Sequence, residues 1–226
     1  MDISAFIEIA KELHVLGIKI TKDGELINEW YSEEECRRNI YSAAKSFTSC
    51  AVGFAVQEGL ISLDEKLTDA FSEDLPEVID ANLQMATVRD LLTMCLGQEQ
   101  GSLMGAQRPT WEIDPLGNNF GAGGLFLTLS ELHKFGLFYL NKGKWEGRQL
   151  LSEKWIEEST KASDTDYYGY LFWRGEYNSF RADGKYSQIT MILPDKNAVV
   201  SLVAECRQGE KLMRALYDLV CAIIPA

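Results

Sequence analysis

The closing third of the chain constrains the fold most. Residues 170–174, 187–193 and 198–204 are short runs in which Val, Ile, Leu and aromatic residues dominate, and a helix-spaced segment follows over 210–223. Such composition suits strands packed in the middle of a sheet. At the other end, residues 4–14 carry Phe6, Ile7, Ile9, Ala10 and Leu13 at the spacing of an amphipathic helix. Residues 16–21 then alternate, Lys22-Asp23-Gly24 is a hairpin turn signal, and residues 26–31 read as the return strand. Helices at both ends with antiparallel strands between them define an α+β fold. The terminal helices would cover the sheet, the closing strands would form its centre, and a helical region would be inserted after the first hairpin.

Between these ends the pattern is mainly helical. Residues 42–60 form one long Ala-rich helical stretch ending near Gly59, and residues 63–67 make a polar loop. Thr87 caps a helix with Asp90 three residues on, residues 130–141 are again helical, and Ser152 caps a further helix over 152–160. Residues 98–124 are rich in Gly, Gln, Pro and Asn and show little periodicity, which is unusual inside a compact domain. The expected organisation is one domain over 1–226: residues 1–35 and about 120–226 form the sheet region, and about 36–119 a short helical region.

Charge and cysteine usage exclude several classes of function. A net charge of −12 repels a phosphate backbone, so nucleic acid is not an expected partner. The five cysteines, Cys36, Cys50, Cys95, Cys206 and Cys221, are odd in number and form neither a CxxC nor a Cys/His cluster. Neither a disulfide framework nor a zinc site is suggested, and Cys50 and Cys221 sit in apolar stretches where a free thiol behaves as a small hydrophobe. No apolar run approaches membrane-spanning length and no basic-then-apolar leader opens the sequence, so a cytoplasmic location is expected.

One constellation carries chemistry. Ser42-Ala43-Ala44-Lys45 places a serine and a lysine three residues apart, on one face of a helix. A serine hydroxyl needs a base to take its proton, and a lysine serves once desolvation or nearby positive charge lowers its pKa. The start of a helix also favours the negative charge that develops on attack. S-x-x-K occurs by chance in many helices, and the plain alternative is a solvated lysine one turn from a capping serine.

The flanks add to the motif. Residues 40–49, the continuation from Val52 to Leu67, and Ala86-Thr87-Val88-Arg89-Asp90-Leu91-Leu92-Thr93-Met94 follow in order. So do Gly121-Ala122-Gly123-Gly124-Leu125-Phe126-Leu127-Thr128, Lys134-Phe135-Gly136, Tyr168-Gly169-Tyr170 and the stretch from Ser187-Gln188 to Pro194. Together they closely resemble the class C β-lactamase-related family of the serine β-lactamase and penicillin-binding-protein superfamily. That family also includes esterases, DD-peptidases and amide hydrolases, and the resemblance runs from Leu16 onward.

The resemblance implies a β-lactamase/transpeptidase-like fold and a serine hydrolase working through an acyl-enzyme. Ser42 would be the nucleophile and Lys45 the base, with a small-molecule or peptide substrate carrying an ester, amide or β-lactam carbonyl. No cofactor and no metal are implied. The family's third motif, commonly Lys-Thr-Gly or His-x-Gly, corresponds to the region 181–188. Gly184 is the counterpart of its glycine, and an oxyanion hole would combine the Ser42 N–H with one near Lys185. Lys185 would receive a substrate carboxylate, or is equally a solvated turn lysine.

The chain departs from the family in one respect. No Tyr-x-Asn or Ser-x-Asn lies between Cys95 and Gly101-Ser102-Leu103-Met104-Gly105, which resembles the family's later Pro-Leu-Gly segment, as if an intervening helical segment were deleted. Losing one member of a coupled nucleophile–base unit removes most of a rate, and losing helical cover admits water. A second reading is therefore a non-catalytic relative acting as a binding or scaffold protein. The shortening would also expose the apolar face around 52–56, favouring a homo-oligomer.

Other residues read as structural. Tyr139, Tyr167 and Tyr177 could replace the missing tyrosine but suit half-buried aromatic positions better. His14 and His133 support neither a Ser-His-Asp triad nor a metal site. Glu33-Glu34-Glu35 reads as a solvated face, and Trp111, Trp145, Trp155 and Trp173 as core or pocket wall. Gly121-Ala122-Gly123-Gly124 lacks the lysine of a phosphate-binding loop.

Overall fold

The computed structural model describes residues 2–73, 75–94, 112, 121–163 and 165–223. Helix α1 (Ser4–Glu12) leads into the hairpin of β1 (Val15–Lys22) and β2 (Glu25–Tyr31), and β3 (Arg38–Asn39) follows. A 3₁₀ turn, Tyr41–Ala43, then opens α2 (Ala44–Gln57), and three short helices come next: α3 (Leu67–Ala70), α4 (Ala81–Met85) and α5 (Val88–Leu92). Strand β4 (Phe126–Leu127), α6 (Leu129–Leu140), the hairpin β5 (Lys144–Trp145) and β6 (Arg148–Gln149), and α7 (Glu153–Thr160) lead back to the sheet. Strands β7 (Trp173–Arg174), β8 (Phe180–Gly184), β9 (Gln188–Leu193) and β10 (Ala198–Ala204), then α8 (Gly209–Ile223), complete the described chain.

The six-stranded sheet has the order β2-β1-β10-β9-β8-β7 and is antiparallel throughout. The expected α+β architecture is present, with β9 and β10 in the centre as their composition implied. Every residue of both strands is buried because helices cover both faces. Ile189, Met191, Val200 and Leu202 pack toward the α1 and α8 side with Phe6, Leu212 and Leu216. Their neighbours Ile192 and Val199 turn the other way, against Phe135, Tyr139 and Phe172. The period of two along each strand thus divides one sheet between two cores.

Helix α6 lies close on the second face because of Gly136. A Cβ there would stand 2.6 Å from both Thr190 Oγ1 and Val199 Cγ1, so only glycine allows this approach. Beside it, buried His133 bonds Thr21 Oγ1 through Nε2 at 2.7 Å and Ser201 Oγ through Nδ1 at 2.9 Å. Ser201 Oγ also contacts Thr190 Oγ1 at 2.6 Å, so the buried polar groups satisfy one another.

Several expectations need correction. The strand expected over 170–174 is confined to Trp173–Arg174, because Tyr170, Leu171 and Phe172 are buried in the second core instead of pairing in the sheet. Regular helix over 42–60 begins at Ala44 and ends at Gln57. Val52, Phe54 and Val56 pack against the second core, so the face around 52–56 is not the exposed one. Exposed apolar side chains fall later, at Leu60, Phe71, Val78, Met85 and Met94. Cys221 is exposed rather than buried, Cys36 and Cys50 are free thiols, and Cys95 lies outside the described residues. Glu35 is not merely solvated: its carboxylate accepts from Ser130 N at 2.6 Å at the start of α6. The irregular stretch 98–124, with Trp111 and the region of the missing Tyr-x-Asn, falls largely outside the described residues.

Candidate active site

Ser42 sits in the 3₁₀ turn ahead of α2, one residue after Tyr41, whose φ of 49° is left-handed. A non-glycine residue in this region is strained by about 1–3 kcal/mol unless its surroundings hold it. Here Tyr41 N donates to Asn39 Oδ1 at 2.7 Å, and the Tyr41 ring meets Tyr186 edge-on at 5.5 Å. The turn therefore projects Ser42 outward, exposed, while Ala43 and Ala44 are buried beneath it.

Lys45 stands one turn along. Its Nζ donates to Ser42 Oγ at 2.9 Å and to the Ala122 carbonyl at 3.1 Å. The side chain is half-buried, and burial lowers its pKa from that of an ordinary lysine. Among the described residues no carboxylate bonds to it. The structure therefore brings the two expected residues together, with the lysine biased toward the neutral form that can accept a proton.

Two walls hold this pair. The first is the glycine-rich stretch: Gly121 O accepts from Thr48 Oγ1 at 2.6 Å and Ala122 O from Lys45, while Leu125 O accepts from Ile40 N at 2.9 Å. The pairing of β3 with β4 continues the same seam. The second wall is the end of β8. A Cβ on Gly184 would collide with the Ile40 carbonyl and stand 3.0 Å from Ala43 N, so glycine alone permits the strand end to reach the backbone around Ser42. Gly184 thus lies against the turn that carries Ser42. Lys185 is exposed, with its Nζ 5.0 Å from the Tyr186 ring centre, and no carboxylate pairs with it among the described residues.

The proposed replacements for the missing tyrosine do not reach Ser42. Tyr139 is buried in the second core among Phe135, Phe172 and Phe180, where burial pushes its pKa well up. Tyr167 stacks on Trp173, and Tyr177 contacts Cys221 Sγ at 2.7 Å. His133 serves the α6–sheet interface, and burial lowers its pKa to about 4. No group of His, Cys, Asp or Glu among the described residues could hold a metal.

Sequence reasoning missed the cleft of about 580 Å³ beside Tyr41, bordered by Arg38, Tyr186, Gln188 and Arg207. The only signals were two arginines after the acidic run and a third after the last strand, which no local spacing connects. A cleft of about 640 Å³ lies on the α8 side, between Arg181, Tyr217 and Arg214, and contains no serine–lysine pair. Neither Ser42 nor Lys45 lines the cleft beside Tyr41, which adjoins the turn through Tyr41 alone.

No protein-family profile matches the sequence, and no curated protein matches it. Solved structures do. An octameric penicillin-binding protein homologue from Pyrococcus abyssi superposes with a TM-score of 0.71 at 16% identity, covering 99% of this chain and 78% of that one. A β-lactamase from Mycobacterium bovis gives 0.69 at 16% identity, covering 98% and 100%. A protein provisionally assigned as a 6-aminohexanoate-dimer hydrolase from Bacillus anthracis gives 0.79 at 15% identity, covering 97% and 83%. The chain has the β-lactamase/penicillin-binding-protein-like fold.

Proposed function

We propose that this protein is a serine hydrolase in which Ser42 is the acylated nucleophile and Lys45 its general base. The observation that carries the reading is the 2.9 Å contact between Lys45 Nζ and Ser42 Oγ, made by a half-buried lysine whose pKa is lowered. Attack forms a bond from Ser42 Oγ to the carbonyl carbon while the hydroxyl proton passes to Lys45. The tetrahedral oxyanion is received by the Ser42 N–H and the N–H of Lys185; the close approach of Gly184 to Ile40 and Ala43 supports this pairing. Breaking the bond to the leaving group returns the proton to it, and water then hydrolyses the acyl-enzyme. The substrate class is an ester, amide or β-lactam carbonyl, and neither metal nor cofactor enters the step.

The likeness in sequence to the class C β-lactamase-related family, with a shortened helical region over about 36–119, supports the same reading. So does the division into a sheet region and a helical insertion within one domain. We take the working location as cytoplasmic and the protein as self-associating. The apolar side chains exposed between Leu60 and Met94 support the second point, as does the octameric state named for one structural neighbour. A monomer by light scattering at micromolar concentration would count against self-association.

One observation favours the rival reading of a non-catalytic binding or scaffold protein: no Tyr-x-Asn lies between Cys95 and Gly101 to assist the lysine. Turnover decides between the two. Hydrolysis of chromogenic esters and of a chromogenic cephalosporin should be lost in Ser42→Ala and fall by about 10²-fold or more in Lys45→Ala. Folded wild-type protein that turns over none of these at any pH would move the assignment to the binding protein.

A further inference from the structure

Backbone strain gathers around the turn that carries Ser42. Tyr41, the residue before the serine, has a φ of 49°, and Tyr186 and Ser187, between β8 and β9, have 62° and 66°. A bulky side chain is unfavourable in this left-handed region, where glycine is at home and asparagine and aspartate are tolerated. Such residues persist only where their surroundings hold them. The Tyr41 and Tyr186 rings meet edge to face at 5.5 Å, so two of the three support each other.

Asn39 holds Tyr41 from the other side. Its Oδ1 accepts from Tyr41 N at 2.7 Å, a side-chain bond to the backbone two residues on that closes an Asx turn. Asn39 is half-buried, and its own backbone is fixed. It pairs with Phe126 across β3 and β4, and Ile40 N next to it donates to Leu125 O at 2.9 Å. The bond therefore ties Tyr41 to a paired strand.

Ser42 and Lys45 rest on different supports. Lys45 belongs to α2, and its Nζ also donates to Ala122 O at 3.1 Å. Ser42 belongs to the turn, which Ala43 N closes on Ile40 O at 3.1 Å. Their 2.9 Å contact thus depends on the conformation of Tyr41. Relaxing Tyr41 to the negative φ that an aromatic residue prefers would rotate the next peptide and carry Ser42 Oγ away from Lys45 Nζ.

We propose that Asn39 is a positioning residue, which keeps Tyr41 left-handed and so delivers Ser42 Oγ to Lys45 Nζ. Its part in catalysis rests on Ser42 being the nucleophile. Its hold on Tyr41 does not.

The test compares variants of the whole chain, each shown to be folded by its melting curve. Labelling of Ser42 by a fluorophosphonate should slow about 10-fold to 100-fold in Asn39→Ala. Asn39→Asp keeps an acceptor oxygen and should stay within about threefold of wild type, with Asn39→Ser between the two. Lys45 remains buried in these variants, so the pH of half-maximal labelling should not move. General loosening would expose Lys45 and shift that pH upward. Glycine at position 41 needs no support for a positive φ, so adding Asn39→Ala to Tyr41→Gly should cost less than about threefold.

A second readout needs no reaction. With tyrosine labelled by ¹³C and ¹⁵N, the Tyr41 signals are those missing from Tyr41→Gly, and their Cα and Cβ shifts report φ. They should indicate a left-handed Tyr41 in wild type and Asn39→Asp, and a negative φ in Asn39→Ala. Wild-type labelling rates in Asn39→Ala, an Asn39→Asp variant no faster than Asn39→Ala, a shifted pH midpoint, or a Tyr41 still left-handed in Asn39→Ala would each overturn the proposal. Any of those results beside Ser42-dependent labelling of wild type would leave the nucleophile standing. Wild type that never labels, with φ changing as expected, would remove the catalytic role and leave Asn39 as the hold on the turn.

Discussion

At Ser42 the backbone is held rather than relaxed. Tyr41 keeps φ at 49°, and Gly184 fills the space where any side chain would strike Ile40. Gly184→Ala should therefore cost about 2–4 kcal/mol of stability and also displace the turn that presents Ser42. Chemical unfolding and Ser42 labelling, measured together, check both effects; an Ala variant of unchanged stability would mean the strand end does not touch the turn. Burial of Lys45 sets the pH response. The acid limb of any ester hydrolysis should titrate below the ordinary lysine value of about 10.4, because the neutral amine is the active form. His133 makes a separate prediction. It stays neutral when folded down to a pKa of about 4, whereas unfolded it takes a proton near 6.5. Between those values the unfolded state binds more protons, so stability contributed by this group is lost as pH falls, by about 1.4 kcal/mol per pH unit. Comparing wild type with His133→Asn by denaturant unfolding at pH 7 and pH 5 should show the shallower pH slope in the variant.

At the scale of elements, capping residues were the most legible feature. Thr87 accepts from Asp90 N while Asp90 accepts from Thr87 N at 2.8 Å, and Ser152 caps α7 through Trp155 N at 3.2 Å. The same box at Thr128 and Glu131 starts α6. Thr128→Ala should cost about 1 kcal/mol in a melting experiment, since it orphans a helix donor. Gly136→Ala should cost more, about 1–3 kcal/mol, by lifting α6 from Thr190 and Val199. Strands β9 and β10 announced themselves because burial on both faces leaves mostly apolar runs, interrupted only by Gln188, Thr190 and Ser201. Strand β8 was far less legible: Phe180–Gly184 mixes charge with apolar residues, and its pairing is set by β9 across the sheet rather than by its own period. The helix-like signal before Ala44 likewise hid a 3₁₀ turn, which differs from α-helix by one hydrogen-bond step and leaves no mark on spacing.

Across the whole molecule, the candidate site is assembled from segments far apart in sequence: the turn at 41–45, the stretch 121–125 and the end of β8. The local motif Ser42-Ala43-Ala44-Lys45 was readable because both members lie within one turn. The cleft lined by Arg38, Gln188 and Arg207 was not, since it joins β3, which pairs with β4, to the start of β9 and the segment after β10. The same architecture grades stability. Strands β9 and β10 sit between two cores, whereas α4 buries none of its residues and the region from Leu60 to Met94 exposes several apolar side chains. Amide exchange should accordingly be slowest in β9, β10 and α6 and fastest across 60–94, and uniform protection would contradict this layering. The proposed hydrolysis depends first on Ser42 being a working nucleophile. Intact mass spectrometry after exposure to a fluorophosphonate, and separately to a penicillin, tests that most directly. The expected result is a single adduct on wild-type protein with at least one reagent, absent from Ser42→Ala. Folded protein that stays unmodified by both, or a Ser42→Ala variant that still forms the adduct, would contradict it.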